Sequence, residues 1–481
     1  MNKTWLAIVL AISLLSCGKE NFDPKLPPIT GVPVTAIPPV PITVNIDQSH
    51  RGFNIASDFE GLSYETGLLV ENPDFLNENN AVLIQLIKNL GKGILRIGGN
   101  TSDEIDCSGS NNQNPASLAL KPSDIDRLSG FSRAIGWPVL FGLNLGKYDT
   151  LAAANEALYI SNNLKTNLYA LQSGNEPDAF KWRGHRKSYN YEDYRTEWET
   201  YFTAVKKAAP DVHFAGPDVD PFNAKWIGSF SADEHSKVRL LDGHYYSTGP
   251  ASDSSITYHD LLKPNTKLNG YLLQFSKIAA HYHAPYRISE CNSIFNGGKP
   301  GVSDSFASAL WALDLMWTVA ENHGQGINFH GGGPRFAYTP IVGANGIYTA
   351  RPEYYAMLAF KYGSAESAII PATILNPRDY NNCTVYAAAN KNGSYSVTLI
   401  NKETAKNFSF TIQLTKTASA IKILRLTAPT IESTSGTTFG GSSVAPDGTF
   451  AEQTTGQSTI NGKSFVVTVP AGSAAVVTVL Q

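Results

Sequence analysis

Between residues 50 and 362 one arrangement recurs: a short apolar run that ends in polar residues, then a segment with helical spacing. The runs are IASDFEGLSYE (55–65), GILRIGGN (93–100), VLFGLNLG (139–146), LYALQSGNE (168–176), HFAGPD (213–218), LLDGHYYS (240–247), YRISECN (286–292) and GINFHGG (326–332), separated by helical stretches such as NAVLIQLIKNLG and YRTEWETYFTAVKKAA. Parallel strands need crossover helices, and eight such units close a (β/α)8 barrel of the TIM type, so this pattern predicts an α/β fold with a catalytic barrel over 46–362. A doubly wound sheet is the rival, but it leads to a glycine-rich phosphate loop after the first strand, and GxGxxG does not occur.

Beyond RPEYYAMLAFKYG the helical spacing stops. CTVYAAAN, YSVTLINK, FSFTIQL, AIKILRL and SFVVTVPAGSAAVVTVL alternate with Gly, Asn, Asp and Pro turns, which predicts a C-terminal β-sandwich over 363–481 with a packing or accessory role. At the other end Lys3, the apolar stretch from Trp5 to Leu15 and LLSC at 14–17 follow the order of a signal peptide, too short to span a membrane stably. The LLSC ending resembles the bacterial lipobox, which implies cleavage before Cys17, lipidation of its thiol and a place in the bacterial cell envelope; an ordinary signal peptide with an incidental Cys is the alternative. Residues 18–45 are rich in proline, which blocks helix and favours extended chain, and read as a tether from a lipid anchor to the body, with PITVNI as an edge strand.

A net charge of -3, from 38 basic and 41 acidic residues, shows no strong bias and argues for neither nucleic acid nor a broad polyanion surface, and no nucleic-acid partner is expected. Setting Cys17 aside, Cys107, Cys291 and Cys383 lie far apart and make no disulfide framework, and no CxxC or His/Cys cluster points to a metal. His281 and His283, at alternate positions without acidic company, make no ligand pair. No cofactor is implied.

In a barrel, polar residues at the C-terminal strand ends face the mouth. Here these are Glu60 and Glu65, Asn100 and Asp103, Asn175 and Glu176, Asp218 and Asp220, His244 to Tyr246, Glu290 and Asn292, and His330. A buried carboxylate is costly unless paired or used, and Glu176 and Glu290, on the fourth and seventh runs, converge across such a barrel. Two carboxyl groups flanking a bond are the requirement for cleaving a glycoside, with Asn175 placed to bond a sugar hydroxyl. The structural alternative has Glu176 capping a helix and Glu290 pairing with Arg287 or Arg96.

SGNEPD and RISECNSIFNGG, with GLSYE, LRIGGNTSD and GHYYS in the same order, resemble the heparanase and β-glucuronidase family of retaining glycoside hydrolases, over roughly residues 45–480. The resemblance implies Glu176 as general acid/base and Glu290 as nucleophile, with a covalent glycosyl-enzyme between them. It also implies that Glu60 and Asn100 hold ring hydroxyls, and that His244 and Tyr246 flank the nucleophile, Tyr246 donating to its carboxylate. Gly297, Gly298 and Tyr338 become candidates for holding a glucuronate carboxylate; Phe295 stands where the family pattern has a tyrosine, so one hydroxyl donor is absent. The substrate expected is a glycan carrying terminal glucuronic acid or its 4-O-methyl ether. The loop KWRGHRKSYNY (181–191) reads either as a leaving-group subsite or as a solvated connection. Outside it no dense basic run occurs, which favours exo action over heparanase-like endo action; a non-catalytic glycan-binding lipoprotein is the other reading.

Overall fold

The computed structural model describes residues 38–107, 118–364, 367–378 and 382–481. The expected signal peptide, Cys17 and residues 18–37 of the expected tether lie outside the described residues.

All eight apolar runs are strands of one closed parallel barrel: β1 Glu60–Glu65, β2 Ile94–Gly98, β3 Val139–Leu143, β4 Leu168–Ser173, β5 Phe214–Val219, β6 Val238–Thr248, β7 Tyr286–Ile294 and β8 Ile327–Gly331. The circle closes where β8 pairs with β1, Ile327 opposite Glu60 and Gly331 opposite Tyr64. Low in the barrel Ile94, Leu140, Ala170, Ala215 and Leu240 fill the interior with small and branched side chains, leaving the upper ends for polar groups.

The helix after β4, Tyr191–Ala208, shows how the outer ring is specified. Asn190 accepts from the N–H groups of Glu192 and Asp193, and the Asp193 side chain answers the Asn190 N–H, so the first turn is capped from both directions. Lys206 and Lys207 sit in its last turn, where cations oppose the helix dipole. Its buried stripe is Tyr194, Trp198, Tyr201 and Val205, three or four residues apart, packed onto the barrel wall. Truncating Trp198 to alanine is worth about 3–5 kcal/mol of lost packing.

Past the last barrel helix, Pro352–Ser364, the chain builds a nine-stranded sheet. Its pivot is the 20-residue strand Phe408–Thr427. One half of it pairs with Val40–Ile46 and the other with Ser473–Leu480, so the sheet splits into two layers around Ile42, Val44, Val397, Phe410, Val467 and Val477. The residues of Val40–Ile46 correct the expected end of the tether at 45. Ile42, Val44 and Ile46 alternate and are buried, and the strand lies inside the sheet, between Phe408–Thr427 and Ala372–Ile374, rather than at its edge.

The sheet's other face explains why its sequence runs are continuously apolar. In Cys383–Asn390, Val385, Ala387 and Ala389 enter the sandwich core while Tyr386 and Ala388 pack against the barrel helices. The Tyr386 ring stacks on Trp317 at 5.5 Å, and its hydroxyl donates to Asp314, which also receives Lys402 at 2.7 Å.

Candidate active site

At the end of β4 the chain turns through Gly174 and Glu176, both in the left-handed region with φ 80° and 48°. A non-glycine residue there is held by its surroundings. Here the hold comes from the Glu176 N–H, which donates to the Asp218 carbonyl at 2.8 Å, and from Pro177 opening the next turn. On β7 the pairing with β6 shifts between Ile288 and Glu290. This bulge lets two consecutive residues face inward: the Ser289 hydroxyl donates to Asp218 Oδ1 at 2.8 Å, and Glu290 Oε2 receives Arg96 at 2.7 Å. Cys291 turns the other way into the packing beneath the helices.

The two carboxylates meet over a cavity of about 690 Å³ at the C-terminal ends of the strands, lined by Glu65, Asn100, Glu176, Arg183, Asp220, Phe222, Tyr246, Lys267, Glu290, Phe295, Gly297, His330, Phe336 and Tyr338 among others. An oxygen of Glu176, one of Glu290 and a ring nitrogen of His244 lie within 4.8 Å of one another. That trio has a metal-binding composition, but its atoms are committed. Arg183 pairs with Glu176, Arg96 and the Tyr246 hydroxyl hold Glu290, and His244 lies between Glu176 and Asp218.

Arg96 organises the floor. This buried guanidinium donates to Glu290 and Asp218 at 2.7 Å, to Asn175 at 2.9 Å, and to Ser63 and Gln172 at 3.0 Å. Burial alone would raise the Glu290 pKa; His330, His244, Arg96 and the Tyr246 hydroxyl reverse this and hold the carboxyl well below its ordinary range. Burial likewise opposes ionisation of Asp218, and Arg96 and His244 overcome it. Glu65 is kept ionised against burial by His330 and the Thr101 hydroxyl, and takes the Thr101 N–H at 2.9 Å. An ionised carboxylate under Tyr246, with no proton to lose, is a group that can attack carbon.

Of the residues singled out in the sequence, Asn100, Glu176, Tyr246, Glu290, Gly297 and Tyr338 line the cavity. Four others are corrected. Glu60 is the first residue of β1, not one that follows it, so it sits at the opposite end of the barrel, about 16 Å along the strand from Glu65. There it borders a small cavity with Lys361, Phe360 and Gly91. His244 is fully buried and bonds Glu176 and Asp218 rather than facing substrate. Asn175 is also beneath the floor: its N–H donates to Asp103, and its side chain receives Arg96 and donates to Asn100 at 3.2 Å. Gly298 packs under the Tyr338 backbone, where a Cβ would come within 2.7 Å of the Tyr338 nitrogen.

The loop after β4 divides. Arg186 is absorbed by Glu197 and by the carbonyls of Leu145 and Gly146, whereas Arg183 enters the cavity to pair with Glu176 and bond Asn100. Glu65 and His330 belong to the site without having been assigned a role; both stand at strand ends, which is the available signal. For Arg96 the signal is a charge inside an apolar strand, between Leu95 and Ile97.

Residues 385–476 match the glycosyl hydrolase family 79 C-terminal beta domain. A beta-glucuronidase of Neurospora crassa is 24% identical over 348 residues, 60% of this chain and 60% of that protein, and a beta-glucuronidase of Aspergillus niger is 27% identical over 305 residues, 54% and 56% respectively. The chain thus spans less than two thirds of the length of these relatives. Among solved structures, a 4-O-alpha-L-rhamnosyl-beta-D-glucuronidase from Fusarium oxysporum superposes with a TM-score of 0.75 at 20% identity, over 91% of this chain and all of that one. Barrel motifs, the C-terminal domain match and these relatives all point the same way: the chain is similar to the heparanase and β-glucuronidase family.

Proposed function

We propose that the chain is a retaining exo-β-glucuronidase that removes terminal glucuronic acid, or its 4-O-methyl ether, from glycans, held at the bacterial envelope through lipidated Cys17. The observation that carries this reading is the placement of Glu176 and Glu290, whose oxygens lie within 4.8 Å of each other across the cavity. Retaining glycosidases separate the pair by about 5–5.5 Å, while inverting ones leave about 6.5–9.5 Å for a water. In the first step Glu290 attacks the anomeric carbon as the glycosidic bond breaks, and Glu176 gives its proton to the departing oxygen. Water then loses a proton to Glu176 and adds to the anomeric carbon, releasing the Glu290 carboxylate.

The glucuronate assignment is supported by the two fungal relatives and by the rim of Gly297 and Tyr338. Backbone N–H groups of the loop after β7, with Tyr338, would take the sugar carboxylate. Phe295 contributes an apolar edge there, its ring 6.5 Å from that of Tyr246.

The test compares p-nitrophenyl β-glucuronide with the β-glucoside, using protein that begins after Cys17, and follows the anomer first released by NMR. Selective glucuronide cleavage giving the β-anomer is expected. Initial release of the α-anomer overturns the retaining step, and preference for glucoside overturns the uronate pocket. Sizing products from a glucuronide-containing polymer separates single-residue release from internal cutting.

A further inference from the structure

His244 is an ionisable residue of the site to which the two-carboxylate reaction gives no task. Its ring lies on β6 between the acid/base and the floor, with Nδ1 at 2.8 Å from Glu176 Oε1 and Nε2 at 2.9 Å from Asp218 Oδ1. The Asp218 end is determined by hydrogen-bond accounting. Asp218 also accepts from Gln172 at 2.5 Å, from Ser289 at 2.8 Å and from Arg96 at 2.7 Å, so it acts throughout as an acceptor and Nε2 must carry a hydrogen. At Nδ1 the partner is Glu176, whose own protonation changes during turnover. From there the chain continues through Asp218 and Arg96 to Glu290, which connects the two catalytic carboxylates by hydrogen bonds alone.

We propose, on the retaining reading above, that His244 is a doubly protonated positioning residue that serves as the counter-charge of Glu176 in the second half of the reaction. When Glu290 becomes a neutral ester and Glu176 has given up its proton, the negative charge has moved from β7 to the end of β4. The imidazolium faces it there and holds the carboxylate in place to take a proton from water. No charge enters or leaves the site: Glu290 loses one negative charge as Glu176 gains one. The groups that face His244 are Glu176, Asp218, Asp220, Arg96 and Glu290. Burial by itself would strip its proton; Asp218 and Glu290 outweigh burial and the repulsion of Arg96, so its pKa is raised.

The experiment uses His244→Gln and His244→Asn with p-nitrophenyl β-glucuronide, a substrate whose good leaving group asks little of the acid. Expected is a burst of one p-nitrophenol per enzyme, an ester-linked mass on Glu290, and a steady-state rate at least tenfold below wild type. Azide, an anionic nucleophile that needs no base, should restore much of the lost rate. A fall in both half-reactions together, without burst or azide rescue, overturns the proposal, as does wild-type behaviour. If the unsubstituted enzyme itself releases nothing, it is the glucuronidase reading that fails. Should both variants fail to fold, the unsubstituted chain with 13C-labelled histidine decides: His244 must stay imidazolium through the range where exposed histidines titrate, and a neutral signal there overturns the proposal.

Discussion

Two fully buried arginines stand at opposite ends of the same barrel, and their partners differ in kind. Arg96, on β2, reaches toward the mouth and holds two carboxylates, Asp218 and Glu290. Arg287, on β7, reaches toward the lower end. It donates to the Asn328 side chain at 2.6 Å and to the carbonyls of Asp58, Phe59, Glu60, Gln325 and Ile327 at 2.9–3.4 Å, with no hydrogen bond to a carboxylate among the described residues. Asp218 and Glu290 keep Arg96 charged against burial, whereas burial lowers the pKa of Arg287. One cation is placed to set the ionisation of reacting groups. The other ties β7 to the starts of β8 and β1, where the barrel closes.

The largest effects should appear at the mouth. Glu290→Gln keeps the shape but removes the nucleophile proposed above, and on that reading hydrolysis of an aryl glucuronide should fall by at least about 10⁴-fold. Losing the charge that Arg96 holds should also lower the melting temperature of this variant, so turnover is compared per folded molecule. A variant that retains turnover would move the nucleophile elsewhere.

Next come the arginines themselves. Arg96→Met leaves Asp218 and Glu290 buried without their cation, which costs about 3–5 kcal/mol of stability and should abolish turnover as well. Arg287→Met takes a donor from five carbonyls and from the Asn328 oxygen at the closing seam, so its melting temperature should fall, yet kcat per folded molecule should stay near wild type. Measuring both quantities on both variants sharpens the contrast. Equal loss of kcat in the two would break it.

The contrast also separates what is legible in the sequence from what is not. Eight apolar runs ending in polar residues become eight strands because each run must be buried on both faces, and the runs that read continuous rather than alternating say so directly. Glu176 and Glu290 stand out because charged groups at buried strand ends are rare. Glu60 is misplaced because IASDFEGLSYE has apolar residues on both sides of it, and nothing local marks Glu60 as the strand's first residue. Asn175 and His244 have the right positions in sequence but lie beneath the floor, since the hydrogen bonds they donate to Asp103 and Asp218, distant in the chain, hold them there. The bulge that turns both Ser289 and Glu290 inward is likewise a matter of pairing with β6 and leaves no trace in the order of residues.

Arg183 tests the rim, where the effect should be smaller. It is about one quarter exposed and pairs with Glu176 from the solvent side. Arg183→Ala removes the cation that pairs with Glu176 and bonds Asn100, so kcat/KM for the aryl glucuronide should fall several-fold while the melting temperature stays near wild type. An unchanged kcat/KM would mean that the pair serves neither substrate nor the acid.

Glu60 brings the comparison back to the lower end, where an acidic group lacks what the mouth supplies. It is 5% exposed, and its Oε1 has no hydrogen-bond partner among the described residues. Burial raises its pKa well above the ordinary carboxylate value, with Lys361 a weaker opposing influence. The native state therefore binds the Glu60 proton more tightly than the unfolded chain does. Its stabilising contribution is full below the unfolded pKa of about 4.3 and is lost as pH rises through the raised native value. Glu60→Gln keeps the shape without the charge, so its melting temperature should match wild type near pH 4 and exceed it increasingly toward neutral pH, with glucuronide turnover unchanged. A constant gap at every pH would assign the difference to packing, and a loss of turnover would return Glu60 to the site from which its place at the foot of β1 removes it.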